Sequence, residues 1–193
     1  MREVAAEVVV VGCSWGGLDA LVVLFQTLPP TVDVPLVVVQ HRGVASTRLA
    51  TLLARHTVRP VNEAEDKMRL RGGEVYVAPP DYHLLVEPGH LALSTEGPVR
   101  HSRPSIDVVF ETAADAYREA VVGVILTGTN DDGARGLAAV VRRGGTAIVQ
   151  DPETAERRQM PDAALAAVRA LVLPLAAIGP HLATLCGAEV SSR

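Results

Sequence analysis

Short valine-rich runs recur along this chain, separated by longer stretches of helical period, and that alternation limits its fold more than any other feature. The runs fall at 7–12 (EVVVVG), 35–40 (PLVVVQ), 73–78 (GEVYVA), 121–127 (VVGVILT) and 146–150 (TAIVQ). Strands so continuously apolar need cover on both faces, which a parallel sheet between two layers of helices supplies. The expectation is an α/β fold with a doubly wound, mostly parallel sheet, Rossmann-like and three-layered. A length of 193 residues suits one domain spanning 1–193. Such a domain buries about 70% of the surface its unfolded chain exposes and needs neither disulfides nor a structural metal.

The intervening segments read as helices. Leu18, Leu21, Val22 and Phe25 share one face, ended by Pro29-Pro30, and Leu49, Leu52 and Leu53 mark a second helix with Ser46 as its N-cap. A third follows Ser105, with Ile106, Val109, Phe110, Ala113 and Tyr117 on one stripe. A fourth runs over 134–143 and closes at Gly144-Gly145. Pro161 suits a first helical position, which predicts a fifth helix over 161–170, and a last one is expected over 180–186. The stretches 82–86 and 90–94 flank Glu87-Pro88-Gly89 and read as an attached β-hairpin.

Composition removes several functions. Hydrophobic residues make up 48% of the chain and aromatics 3%, so the core is aliphatic and disorder is excluded. Charged residues, glycine or proline interrupt every apolar run before membrane-spanning length, so no membrane insertion is expected. A net charge of −4 argues against general nucleic-acid binding. Cys13 and Cys186 have no metal-ligand spacing and no paired framework, which predicts a reducing, cytoplasmic setting, and the serine chemistry read below calls for no metal and no cofactor. Val10-Val11-Gly12-Cys13 looks like a lipoprotein cleavage box, but Glu3 and Glu7 break the basic and apolar regions that a signal needs.

The sharpest motif is Gly12-Cys13-Ser14-Trp15-Gly16-Gly17, a G-x-S-x-G sequence directly after an apolar strand and before an amphipathic helix. That is the setting of a nucleophile elbow, which lifts the Ser14 hydroxyl clear of the backbone. The following amides, beginning with Trp15 N–H, lie at a helix start where they can hold an oxyanion. A turn that caps the helix or binds phosphate fits the same glycines. The G-x-G-x-x-G spacing of a dinucleotide site is absent.

A serine nucleophile needs a base. Open α/β sheets build their sites at the carboxyl ends of the strands. His41 immediately follows PLVVVQ and so belongs to the same rim as Ser14, with His101 as the main rival. His56, His83, His90 and His181 have structural explanations. The loop Gly128-Thr129-Asn130-Asp131-Asp132-Gly133 follows VVGVILT on that rim and offers two carboxylates, either of which could orient an imidazole or merely cap a helix.

At these residues the chain resembles the catalytic domain of CheB-type protein-glutamate methylesterases, over roughly 7–185. The resemblance rests on Gly12 through Gly17, Gln40-His41, Val75-Tyr76-Val77-Ala78-Pro79, Arg103 through Phe110, Leu126-Thr127-Gly128, Asp132-Gly133-Ala134-Arg135-Gly136 and Met160-Pro161. It implies Ser14 as nucleophile, His41 as base and Asp132, rather than Asp131, as the third member. It further implies hydrolysis of glutamate methyl esters on the helical cytoplasmic region of a chemoreceptor, with glutamine deamidation through the same acyl-enzyme. Trp15 stands where the family usually has a small residue, and Thr129 and Asn130 replace Met and Gly of its loop, so these departures fall on oxyanion and substrate contacts. The Trp15 indole would form an apolar wall beside the nucleophile or pack on the hairpin. The family's receiver domain is expected to be absent, so phosphorylation control would come from a separate response-regulator protein or be absent. Another esterase or amidase using the same triad, or a binding module of a signalling complex with weak catalysis, fits the same residues.

Overall fold

The computed structural model describes residues 5–41 and 49–187. The chain runs β1 (Val8–Cys13), α1 (Gly17–Thr27), β2 (Leu36–Gln40), α2 (Leu49–Leu53), β3 (Val61–Glu63), β4 (Val75–Val77), β5 (His83–Glu87), β6 (His90–Ser94), α3 (Ile106–Tyr117), β7 (Val121–Ile125), α4 (Ala134–Arg142), β8 (Thr146–Gln150), α5 (Gln159–Ala167), β9 (Leu171–Leu173) and α6 (Leu175–Leu185). Seven strands form one parallel sheet in the order β3-β4-β2-β1-β7-β8-β9, and β5 and β6 form a separate antiparallel hairpin. The α/β three-layer architecture and the hairpin are therefore as the sequence predicts.

Alternation along the central strands feeds two cores. Val9, Val11 and Cys13 of β1, with Leu36 and Val38 of β2, face α1 and α6 and pack with Leu21, Leu24, Ile178 and Leu182. Val8 and Val10, with Val37 and Val39, face the other way and pack with Phe110, Leu137, Val140 and the hairpin residues Leu84 and Leu91. Because both faces are buried, every β1 position is apolar or glycine, and the strand shows no polar alternation in sequence. No helix among the described residues is long and apolar enough to cross a membrane.

Several boundaries differ from the sequence reading. β3 and β9 were not foreseen as strands: each is three residues long at an edge of the sheet, too short for a period to register. The fifth helix covers Gln159–Ala167 rather than 161–170, because Met160 N–H bonds the Gly128 carbonyl and Asp162 N–H bonds the Arg158 carbonyl, so the first turn forms two residues before Pro161. The last helix begins at Leu175, just after Pro174, rather than at 180. Pro180 sits inside it, and burial of Ile178, Leu182 and Ala183 holds the helix across that proline. The expected cap Ser46 lies outside the described residues.

The closest backbone approach relevant to the site is between α3 and α4. A methyl at Gly136 would lie 2.6 Å from Phe110 Cβ and 2.9 Å from the Asp107 Cα and carbonyl oxygen. Gly136 thus lets the two helices touch near their N-termini. Gly136→Ala should lower stability by about 1–3 kcal/mol despite alanine's higher helix propensity, because backbone cannot yield as a flexible side chain can. Urea unfolding checks this; a variant as stable as wild type would mean that the helices part at no cost.

Candidate active site

The strand order decides which loops meet. β1 lies between β2 and β7, with Gly12 opposite both Val39 and Ile125. The segments leaving β1, β2 and β7 therefore emerge side by side at the carboxyl edge, carrying Ser14, His41 and the Thr127–Gly133 loop. The elbow is tied to its neighbours through main chain: Ser14 N–H donates to Thr127 O at 3.0 Å and His41 N–H to Cys13 O at 3.1 Å. Gly16 takes φ 75, the left-handed region where a side chain is strained, and this turn starts α1 with Gly17 N–H bonded to Ser14 O. The Trp15 and Gly16 amides find no acceptor among the described residues and lie at the helix start, as an oxyanion site requires.

Asp132 is the best-connected side chain of the rim, with only 1% of its surface exposed. Its Oδ2 accepts His41 Nε2–H at 2.7 Å and Ile106 N–H at 2.8 Å, while Oδ1 accepts the Ser105 hydroxyl and Asp107 N–H, both at 2.9 Å. The carboxylate thus holds the imidazole and the N-terminus of α3 together. Ser105, expected simply to precede the helix, spends its hydroxyl on Asp132 and makes no cap bond of its own. Burial alone would raise the Asp132 pKa. The His41 hydrogen bond and the Asp107 and Ile106 amides outweigh it, and the group sits below the usual carboxylate range.

Asp107 returns the arrangement. It lies in the first turn of α3, fully buried, and its Oδ1 accepts Gly133 N–H at 2.9 Å and Gly136 N–H at 2.7 Å at the start of α4. Each helix is therefore capped by an aspartate from the other's neighbourhood. Burial is the main cause that pushes Asp107 above its ordinary pKa, and the charge of Asp132 adds to it.

Sequence reading did not single out Asp107 or Ser105 for this work. The signal was there in Ser105-Ile106-Asp107, two capping residue types at a helix start. His101 is exposed with φ 68, on the turn joining Val99 and Ser102, and makes no bond to the site among the described residues. His83, assigned only to the hairpin, is buried and links it to the site: its Nδ1 accepts Ser105 N–H at 3.3 Å and its Nε2 meets the Gly97 carbonyl.

The outer lip is polar and asymmetric. Trp15 is 58% exposed, so its indole is not part of the core. Its Nε1–H donates to Glu156 Oε1 at 2.8 Å, and the Arg157 guanidinium stands 5.6 Å from the ring centre, within cation–π range. Neither Glu156 nor Arg157 was foreseen, since nothing local in sequence ties 156–157 to 14–15. The Thr127 hydroxyl anchors that segment, accepting Arg157 N–H at 2.8 Å and lying 3.0 Å from the Trp15 carbonyl. Thr129 is exposed with its amide unbonded among the described residues, and Asp131 points outward to an ion pair with Arg100.

On the far side of His41, Nδ1 meets Asn130 Nδ2 at 3.1 Å. The Ser14 hydroxyl has no hydrogen-bond partner among the described residues. Asp132 is thus on one ring nitrogen as expected, and Asn130, not Ser14, is on the other.

A pH dependence follows from the depressed Asp132 pKa. Its stabilisation is complete above the unfolded carboxylate value of about 3.9 and is lost as pH falls through the lower folded value. Asp132→Asn should cost about 2–4 kcal/mol at neutral pH, in the range of charge-assisted bonds lost from a buried cluster, with the deficit to wild type shrinking below about pH 4. Urea midpoints across pH check it, and a deficit independent of pH would refute the charged role.

Comparison with known proteins places this arrangement in a family. Residues 9–182 match the family model described as CheB methylesterase. A Leptospira interrogans protein whose name includes protein-glutamate methylesterase/protein-glutamine glutaminase is 45% identical over 163 residues, covering 83% of this chain and 84% of that protein. A Nocardioides protein of the same name is 41% identical over 182 residues, covering 91% of this chain, which spans only 50% of that relative's length. The crystal structure of the Thermotoga maritima CheB methylesterase catalytic domain superposes with a TM-score of 0.88 at 35% identity, covering 94% of this chain and all of that one. Sequence and fold agree over nearly the whole chain, which belongs to the CheB methylesterase family.

Proposed function

We propose that this chain is a serine esterase that hydrolyses glutamate methyl esters on a protein, with Ser14 as nucleophile, His41 as general base and acid, and Asp132 as the carboxylate that orients it. The observation that carries this reading is the His41 Nε2–Asp132 Oδ2 bond of 2.7 Å on the rim where the Ser14 elbow opens. The names of the relatives support the substrate class.

Because Nε2–H faces Asp132, Nδ1 is the unprotonated nitrogen, whose lone pair serves catalysis once Asn130 Nδ2 gives way to Ser14. Ser14 Oγ attacks the ester carbonyl as Nδ1 takes its proton, and the negative oxygen settles on amides that include Trp15 N–H, with the Thr129 amide as a second donor. The tetrahedral species collapses as the Nδ1 proton passes to departing methanol, leaving an acyl-enzyme. Water, deprotonated at the same nitrogen, then releases the glutamate side chain and restores Ser14. A glutamine side chain enters the same sequence with ammonia as leaving group. The substrate is the helical cytoplasmic region of a chemoreceptor, and the setting is cytoplasmic.

The deciding assay is methanol release from methylated receptor. Ser14→Ala and His41→Ala should each lower it by about four to six orders of magnitude, because triad members act as a unit, and Asp132→Asn somewhat less. Asp131→Asn, which loses only an exposed ion pair, should stay within about threefold of wild type. Fluorophosphonate labelling of Ser14 without methanol release would point to a different ester or amide substrate, and no labelling would point to a binding module.

Trp15→Thr keeps the backbone amide and removes an exposed indole braced by Glu156 and Arg157. It should raise KM for receptor several-fold with little change in kcat for a small activated ester. A hundredfold fall in kcat at unchanged melting temperature would mean that the indole itself supports the transition state.

A further inference from the structure

We infer that Asn130 is a positioning residue that competes with Ser14 for the base nitrogen of His41, so that the free enzyme rests with its nucleophile unactivated. The inference rests on the reading above, in which Ser14 is the nucleophile and His41 its base. Its ground is the direction of three hydrogen bonds. Asp132 N–H donates to Asn130 Oδ1 at 3.3 Å, which fixes the amide's orientation and turns its NH2 toward the imidazole. Asn130 Nδ2 then donates to His41 Nδ1 at 3.1 Å, so Nδ1 accepts and the ring proton resides on Nε2, where it is donated to Asp132 at 2.7 Å. The lone pair that would take the serine proton is thereby occupied by an amide N–H, and the Ser14 hydroxyl has no partner among the described residues.

The latch is built to open. Asn130 is half-buried between exposed Thr129 and Asp131, and the Oδ1 contact that orients it is the longest of the three bonds. A side-chain rotation therefore releases Nδ1 at the loss of only the long Asp132 N–H bond, and leaves in place the Asp132 carboxylate, whose other three donors come from α3 and Ser105. Activation of Ser14 requires that rotation. The amide also selects among the ring's forms, because an N–H facing Nδ1 is compatible only with the neutral, Nε2-protonated imidazole.

The test compares labelling by a fluorophosphonate in wild type, Asn130→Ala and Asn130→Asp, with Ser14→Ala as the control and melting temperature recorded for each. Asn130→Ala should label about two- to tenfold faster than wild type at pH 7, the worth of one neutral hydrogen bond. Asn130→Asp should label at least tenfold more slowly than Asn130→Ala at pH 7. That gap should narrow as pH rises, because the added carboxylate favours the protonated imidazole. In wild type, nitrogen NMR should show a coupling across the hydrogen bond between Asn130 Nδ2 and His41 Nδ1, a readout that does not depend on any variant folding. Labelling of Asn130→Ala equal to or slower than wild type at an unchanged melting temperature, or absence of the coupling, overturns the latch alone. Wild type that labels no faster than Ser14→Ala overturns the esterase reading and the latch with it.

Discussion

The buried carboxylate of Asp132 is the point on which the site depends. Its oxygens take the His41 ring, two amides at the start of α3 and the Ser105 hydroxyl, leaving little bonding capacity unused. A carboxylate so placed would be costly to bury without such partners. Here the N-terminus of a helix, where unpaired amides and the helix dipole both favour negative charge, helps to keep it ionised. The same bonds that orient the imidazole also dock α3 against the loop before α4, so the fold cannot move one without the other.

Asp107 completes the exchange by accepting two amides at the start of α4, yet its environment acts in the opposite sense. Asp132 has an imidazole partner and is held low. Asp107 has one carboxylate oxygen without a hydrogen bond, a more distant Arg135 at 3.6 Å and a like charge nearby, and is pushed up. Two aspartates in one network, 25 positions apart in sequence, are thus driven apart in acidity by what surrounds each. The close contact at Gly136 makes this possible, since any larger residue there would separate the two helix ends.

Around this anchor the lip is assembled from distant segments. The Thr127 hydroxyl and carbonyl tie the β1 elbow, the β7 loop and the stretch before α5 into one rigid rim, and the Trp15–Glu156–Arg157 cluster stands on its outer edge. The His41 imidazole lies between a firm partner and a yielding one: Asp132 on Nε2 belongs to the core, and Asn130 on Nδ1 belongs to a half-exposed loop.

Much of this was legible in the sequence. Valine-rich runs alternating with helical stretches point to a parallel sheet buried on both faces, because the helices between successive strands supply the cover that such strands need. A glycine-flanked serine, a histidine and an Asn-Asp-Asp loop each placed just after one of those runs belong to one rim for the same reason. What the sequence left open was set by long-range contacts. Edge strands of three residues exist only because neighbours supply their hydrogen bonds, and α6 runs through Pro180 because its apolar face is buried on α1. Only the tertiary structure brings Glu156 to Trp15, gives the Ser105 hydroxyl to Asp132 rather than to its own helix, and sets Asn130 against His41 Nδ1. Local pattern encodes which backbone elements form and which face they bury. The partner of a polar side chain depends on how strands order themselves in the sheet, which no local period records.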